Sequence, residues 1–234
     1  MSSSSLSSSP LPKVAPTRLG KSVITSNKPL DDAKWIELRA LEWTDQDGKD
    51  RKWETVRRKT TNEAGVDAVA IATLLKHPSR PLSTIIILQY RPPIDAICVE
   101  LPAGLIDANE GPEKSALREL HEETGYGGPA FEGRIKIVEL GGVVPSDPGM
   151  SVANMHLATV EVELKEGEEE PEPKLEPVNS PKHLRSSGEH IEVRVTPLAE
   201  LYLHLKAYEK LGYTVDARLH HFAAGIEMAK KYKL

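Results

Sequence analysis

A strongly acidic run within one predicted helix restricts this chain more than any other feature. Positions 118–123 hold the sequence Arg-Glu-Leu-His-Glu-Glu. On an α-helix, residues three and four apart lie on one face, so Glu119, Glu122 and Glu123 project together. Like charges at this spacing destabilise an isolated helix. We therefore expect the stripe to bind hard divalent cations, for which carboxylate oxygens are suitable ligands.

The flanking residues predict both ends of this helix. Gly111 and Pro112 precede it, and proline is favoured in a first helical turn. Gly125 follows it, where a left-handed C-cap usually requires glycine. Arg118 lies four residues before Glu122 and is expected to pair with it. A solvated surface helix would also be rich in charge, but it would not explain a stripe of like charges.

The composition restricts the partners and the compartment. At 234 residues the chain is long enough to bury a sizeable core, and its formal net charge of -5 argues against general binding to nucleic acid. No apolar stretch reaches the length of a membrane span. The single cysteine, Cys98, excludes an intramolecular disulfide and lies in an apolar run that favours burial. We therefore expect a cytoplasmic protein that binds neither nucleic acid nor membranes.

The N-terminal residues, 1–30, are predicted to form a disordered tail because their first half is rich in serine and proline. No acidic residue occurs before Asp31, which is also a property of mitochondrial transit peptides. Against import, Pro10, Pro12 and Pro16 would interrupt an amphipathic helix. Fractionation of the tagged full-length chain distinguishes the two locations.

The remaining sequence predicts an α/β protein. Residues 31–62 contain two strands around a polar turn at 45–48, which predicts an N-terminal β-hairpin outside the core. Residues 63–234 are expected to form the main domain. Its predicted strands are 68–75, 84–90, 96–101, 134–144, 152–164 and 191–196, and its C-terminal helices are 198–210 and 216–232. The acidic, proline-bearing segment 166–181 is predicted to be a solvated loop.

The pattern around the acidic helix resembles the Nudix box in all its fixed positions, which are Gly104, Glu110, Arg118, Glu119, Leu120, Glu122, Glu123, Gly125 and Tyr126. The resemblance implies the Nudix fold, a mixed β-sheet sandwiched between helices, and hydrolysis of nucleoside diphosphates linked to another group. It also implies Mg²⁺, or Mn²⁺ in its place, as the cofactor. Glu119, Glu122, Glu123 and the carbonyl of Ala103 match the family's metal ligands, and Arg118 belongs to the catalytic box.

Three further segments, 89–93, 100–107 and 147–149, resemble the ADP-sugar pyrophosphatases, especially those that cleave ADP-ribose to AMP and ribose 5-phosphate. The spacing between the box and 147–149 is several residues longer than usual in that family. The resemblance implies a homodimer in which Trp35 reaches the partner's site. Alternatives are a broader nucleoside-diphosphate-sugar hydrolase and a sensor that binds ADP-ribose without turnover.

This second resemblance also assigns substrate-binding and catalytic residues. Trp35 and Trp53 match residues that stack on adenine, although plain hydrophobic packing would explain either one alone. Arg58, Arg91, Glu100 and Asp147 match residues near the adenine, the diphosphate or the metal. Glu189 matches a loop glutamate that helps to activate the attacking water, with Glu192 as a nearby rival.

Overall fold

The structure is a computed structural model that describes residues 10–18, 32–61, 65–168 and 190–234. The strands in chain order are β1 (Ile36–Thr44), β2 (Asp50–Arg58), β3 (Ala68–Lys76), β4 (Ser83–Arg91), β5 (Ala96–Glu100), β6 (Ala103–Leu105), β7 (Ile135–Leu140), β8 (Val144–Pro145), β9 (Asn154–Glu163), β10 (Ile191–Pro197) and β11 (Thr214–Val215). The helices are α1 (Pro112–Thr124), α2 (Leu201–Lys210) and α3 (Ala217–Tyr232).

Strands β3 to β11 form one mixed sheet. Strand β3 pairs in parallel with β9, and β11 pairs in parallel with β5, whereas the other pairs are antiparallel. Strands β3 and β4 pair only at Leu75 and Ser83. Toward their other ends β3 bonds to β6 and β4 bonds to β5, while β10 pairs with β4 from Ser83 to Gln89. The two central strands therefore separate, and the chain crosses between them from β5 to β6.

Two apolar cores cover the two faces of this sheet. Side chains alternate along a strand, so Ile85 of β4 packs with α1 on one face, while Ile86 and Leu88 pack with α2 and α3 on the other. Leu120 of α1 and Leu205 of α2 are completely or almost completely buried in these two cores. The predicted sandwich of a mixed sheet between helices is confirmed.

Helix α1 has the predicted ends. Gly111 occupies the N-cap with extended backbone, and Pro112 is the first helical residue. Gly125 has φ 77 and donates its backbone N–H to the carbonyl of His121. Since that φ is left-handed, glycine is the residue that ends the helix here without strain.

Strands β1 and β2 form a separate two-stranded sheet, as the sequence predicts for the N-terminal hairpin. Its second strand lies along the segment that precedes β9. The backbone N–H of Val56 donates to the carbonyl of Met150, and the N–H of Val152 donates to the carbonyl of Val56. The hairpin therefore lies at the edge of the main domain rather than inside its core.

Two regions differ from expectation. Within the segment assigned to the tail, Val14 packs against the core of α2 and α3, and the N–H of Thr17 donates to the hydroxyl of Tyr213 at 2.8 Å. Composition predicts disorder there because it does not register such distant contacts. In the acidic segment, Glu168 is not simply solvated, since Arg134 donates two hydrogen bonds to it at 2.8 and 3.0 Å.

A bilayer span would need a helix longer and more apolar than any that the described residues form.

Candidate active site

Helix α1 presents its acidic stripe to the Ala103–Gly104 turn, which is formed by residues 101–104 where the chain turns from β5 into the first two residues of β6. Glu119 and Glu123 are buried, and Glu122 is half-buried. The backbone N–H of Ala103 donates to Oε2 of Glu123 at 3.0 Å. The turn and the helix face are therefore in direct contact, as required of residues that share one site.

Gly104 lets this contact become very close. A Cβ at Gly104 would lie 1.9 Å from Cδ of Glu119 and 2.1 Å from its Oε1. A side chain fits there only if the Glu119 carboxylate moves away, so the backbone of the turn and the carboxylate occupy adjoining space. The glycine of the box is needed for close approach and not for a positive φ.

Arg118 joins the acids of this region into one network. Its Nη1 donates to Glu119 at 2.7 Å and to Glu122 at 3.1 Å, which confirms the predicted pair with Glu122. Its Nε and Nη2 donate to Glu110, and Nη2 also donates to the carbonyl of Leu105 at 3.2 Å. Arg118 thus holds two stripe carboxylates and the loop before the helix in one arrangement.

The hydrogen bonds of this network shift the pKa values of Glu110 and Arg118. Burial would raise the pKa of Glu110, but hydrogen bonds from Arg118 and from Ser115 outweigh it and hold that pKa below its ordinary value. Burial would lower the pKa of Arg118, but Glu110 and Glu119 raise it well above its ordinary value. Both groups are therefore charged throughout the neutral range.

Arg91 and Glu100, predicted separately as substrate-binding residues, contact each other. Nε and Nη2 of Arg91 donate to the two carboxylate oxygens of Glu100 at 2.6 and 2.8 Å. The side chain of Glu100 is 4 % exposed, whereas that of Arg91 is 39 % exposed. The carboxylate therefore fixes a guanidinium that still faces solvent.

The hairpin brings Trp53 to the segment that contains Asp147. Nε1 of Trp53 donates to the carbonyl of Gly149 at 3.1 Å, while the carbonyl of Asp147 accepts from the N–H groups of Met150 and Ser151. Trp53 is 52 % exposed and Trp35 is 42 % exposed. Arg58, at the end of β2, is exposed and pairs in register with Ile36.

Glu189 lies outside the described residues. Its rival, Glu192, is described on β10, where its carboxylate accepts from Arg194 at 2.6 Å and from the backbone N–H of Arg18. Glu192 is thus held both by the N-terminal segment and by its own strand. A carboxylate held in this way is a poor candidate for a base that must move to reach a water molecule.

The NUDIX domain family matches residues 83–217, more than half of the chain. The chain belongs to the Nudix family. An uncharacterized Nudix hydrolase of Schizosaccharomyces pombe is 36% identical over 207 residues, which are 88% of this chain and 93% of that protein. The prediction of a Nudix hydrolase is therefore confirmed.

Two further Nudix relatives have names that describe an activity. An ADP-ribose pyrophosphatase of Saccharomyces cerevisiae is 37% identical over 209 residues, 88% of this chain and 83% of that protein. An ADP-sugar pyrophosphatase of Mus musculus is 33% identical over 212 residues, 90% of this chain and 89% of that protein. The crystal structure of an ADP compounds hydrolase covers 93% of this chain and 98% of its own with a TM-score of 0.50 and 17% identity, which supports the fold alone.

The oxygen donors beside the Nudix helix have the chemistry that a divalent cation requires. Glu119 and Glu123 adjoin the Ala103–Gly104 turn, Glu122 is linked to Glu119 through Arg118, and all of these groups offer hard oxygen atoms. In the part of the chain that the structure describes, no three His, Cys, Asp or Glu side chains are arranged so that together they could hold a metal ion. The stripe carboxylates are instead engaged by Arg118 and by the amide of Ala103.

Sequence reasoning missed two participants of this region. Glu110 was recognised only as a box position, although it binds Arg118 through both oxygens. Arg218, at the start of α3, forms a fork with Asp216 beside strand β5. The Asp-Ala-Arg sequence at a predicted helix start was the available signal, but such sequences commonly serve only as caps.

Proposed function

We propose that this Nudix protein hydrolyses the diphosphate of ADP-ribose in the presence of Mg²⁺ and releases AMP and ribose 5-phosphate. The supporting observation is the close approach of the buried Glu119 and Glu123 to the Ala103–Gly104 turn. The activities named for the yeast and mouse relatives favour the same reaction.

The cation would be held by Glu119, Glu122, Glu123 and the carbonyl of Ala103. Bound Mg²⁺ supplies positive charge that offsets the repulsion between phosphate oxygens and an incoming nucleophile, and it acidifies a bound water. Arg118 keeps Glu119 and Glu122 oriented through its hydrogen bonds. We assign the acceptance of the water's proton to Glu189, because Glu192 is engaged by Arg194.

Substrate binding would use Arg91 and Glu100, which lie on β4 and β5, together with residues of the hairpin and of the segment that precedes β9. The guanidinium of Arg91, fixed by Glu100, is suited to a diphosphate oxygen. The exposed rings of Trp53 and Trp35 offer faces on which adenine can stack. Arg58 and Asp147 complete the proposed binding set.

The deciding experiment is hydrolysis of a substrate panel in isotopically labelled water. The panel contains ADP-ribose, ADP-glucose, UDP-glucose, NADH and diadenosine polyphosphates, with products identified by mass spectrometry. Release of AMP and ribose 5-phosphate, fastest from ADP-ribose, is the expected result. Equal turnover of ADP- and UDP-sugars would refute adenine selectivity, and binding without products would favour a sensor.

Glu123→Gln tests the assignment of the stripe. This change removes a ligand charge and should abolish most of kcat while the protein stays folded. Glu113→Gln, an exposed change on the first turn of the same helix, is the matched control and should leave kcat unaltered. Similar kcat values for the two variants would refute the assignment.

We also propose that the protein is cytoplasmic and that it forms a homodimer whose interface includes the hairpin. An isolated two-stranded sheet is marginally stable in water. Here it exposes large apolar side chains, including Leu38 at 83 % and Trp43 at 47 %. A second copy of the chain would cover this surface and bring Trp35 to its partner's site.

Sedimentation equilibrium tests the assembly. Leu38→Glu should convert a dimer into monomers, whereas Leu234→Glu, an equally exposed leucine at the C-terminus, should not. A monomeric wild-type protein at assay concentration would overturn the proposal.

A further inference from the structure

A second guanidinium–carboxylate fork lies beside the one formed by Arg91 and Glu100. Nε and Nη2 of Arg218 donate to the two oxygens of Asp216 at 2.8 and 2.6 Å. A fork of this kind fixes the plane and direction of a guanidinium. Arg218 is therefore pre-oriented, although its side chain remains 42 % exposed.

The backbone places this fork next to Glu100. Strand β11 runs parallel to β5 with Val215 opposite Val99, and the N–H of Asp216 donates to the carbonyl of Val99 at 3.0 Å. Helix α3 therefore begins beside the residue that precedes Glu100. The first turn of α3, which contains Arg218, therefore lies next to the end of β5, which contains Glu100.

The third nitrogen of Arg218 points toward strand β9, which lies beside the central strand β3. Its Nη1 contacts Sδ of Met155 at 3.4 Å, and thioether sulfur is only a weak acceptor. Met155 lies opposite Ala68 of β3, which in turn pairs with Leu105 of β6. Arg218 therefore extends from the end of β5 toward the strands that carry the Ala103–Gly104 turn.

The charges of this region act on one another. Asp216 raises the pKa of Arg218 most strongly, burial lowers it, and then Glu100 raises it and Arg91 lowers it. Arg218 is thus within electrostatic range of both members of the first fork. An anion that lies on the guanidinium side of either fork is attracted by the nearer positive charge more strongly than it is repelled by the carboxylate behind it.

We propose that Arg218 is a further substrate-binding residue, whose Nη1 exchanges the sulfur of Met155 for an oxygen of the substrate's diphosphate. This inference rests on the proposed function for the identity of the ligand. Arg91 and Arg218 would then hold the diphosphate from two directions, with Glu100 and Asp216 fixing their planes.

Equilibrium binding without metal tests this role independently of turnover. ADP-ribose is titrated in the presence of a chelator while tryptophan fluorescence is followed, and adenosine, which lacks phosphate, is titrated in parallel. Arg218→Gln should weaken ADP-ribose binding roughly tenfold to a hundredfold, as expected for a lost hydrogen bond to a charged group. The binding of adenosine should not change.

Arg134→Gln is the matched control because Arg134 also forms a two-bond fork with a carboxylate. Arg134 is anchored to the carbonyl of Glu163, whereas Arg218 contacts Met155 at the other end of β9. Since a strand rises about 3.3 Å per residue, these anchors are roughly 25 Å apart. Loss of this distant fork should leave both affinities unchanged.

Arg218→Lys, which keeps the charge but not the fork, should lose severalfold in affinity for ADP-ribose, and it carries the test if Arg218→Gln does not fold. With Mg²⁺ present, KM should rise more than kcat falls. Unchanged affinity for ADP-ribose, or an equal loss for adenosine, would overturn the proposal. A wild-type protein that binds ADP-ribose but releases no AMP contradicts the proposed function alone, and one that binds no ADP-ribose contradicts both.

Discussion

Replacement of Gly104 by alanine perturbs the site by one methyl group at a position where the geometry defines the consequence. The new Cβ would lie 1.9 Å from Cδ of Glu119. An ordinary carbon contact needs about 3.4 Å, so the carboxylate must withdraw by roughly 1.5 Å. The backbone itself tolerates alanine, because Gly104 does not have a positive φ.

That displacement breaks the bond between Glu119 and Nη1 of Arg118, which is 2.7 Å long. Loss of a hydrogen bond between charged groups costs about 1.5–3 kcal/mol. Since Arg118 keeps its bonds to Glu110 and Glu122, we expect the lower part of this range, about 1.5–2 kcal/mol. For a chain of this size, Tm should fall by roughly 3–8 °C.

Activity should fall much further than stability. If Glu119 binds the cation, a displacement of about 1 Å or more should reduce kcat roughly a hundredfold. Stopped assays of AMP release and calorimetric Tm values measure the two effects on the same preparation.

Gly225→Ala makes the same chemical change where, apart from its chain neighbours and the nearby backbone of its own helix, no heavy atom lies within 4 Å of the added Cβ. It should leave kcat unaltered and raise stability by up to about 1 kcal/mol, since the site is inside α3. A Gly104→Ala protein with wild-type kcat and Tm would show that the turn and Glu119 are not in contact.

Three further changes test other parts of the molecule. The pKa of Glu110 lies below its ordinary 4.5 in the folded state, so its charge stabilises the fold above about pH 4.5. This contribution is lost as the pH falls through the lowered pKa. In urea titrations, Glu110→Gln should therefore reduce the loss of unfolding free energy between about pH 6 and about pH 3. Burial raises the pKa of Cys98 to about 12, so at about pH 8 only roughly one thiol in ten thousand is ionised, and mass spectrometry should find alkylation only after unfolding. Trp53→Ala should raise KM by a factor corresponding to ~1–3 kcal/mol. Trp53→Phe keeps a smaller aromatic face and loses the hydrogen bond to Gly149, so it should raise KM less. Unchanged KM in both variants would identify a packing residue.

The sequence predicts the ends of α1 because the signals for them are local. Gly111, Pro112 and Gly125 act on their own backbone, so their positions specify the helix without reference to other elements. The continuous run of apolar and β-branched residues along β4 is likewise sufficient to predict a strand buried on both faces.

The sequence does not predict strands β6 and β11, because they are too short to show a periodic pattern of apolar residues. Each of them is a strand only because it pairs with a strand that is distant in the sequence. Ala103 pairs with Ala70, and Thr214 pairs with Cys98. The position of Val14 has the same cause, since it packs against a cluster whose members lie between positions 86 and 223. Composition and periodicity carry no information about such contacts.

For the site, the sequence predicts that the acids share a face but not how they are held. The pair between Arg118 and Glu122 follows from helical spacing, whereas the bonds from Arg118 to Glu110 depend on how residues 105–111 fold back. The fork between Arg91 and Glu100 similarly requires the register between β4 and β5. The sequence therefore predicts Arg91 and Glu100 as two separate substrate-binding residues, without the hydrogen bonds that join them.

The structure also changes the reason for expecting a metal. Repulsion among the stripe carboxylates suggests a cation from sequence alone, yet Arg118 and the amide of Ala103 already offset much of that repulsion. Charge compensation therefore does not by itself require a metal. The stronger reason is positional: Glu119 lies against the backbone at Gly104, where any side chain would displace it, and a carboxylate with only an electrostatic role would not need that closeness. Gly104 is thus a more specific indicator of the proposed chemistry than the charges themselves.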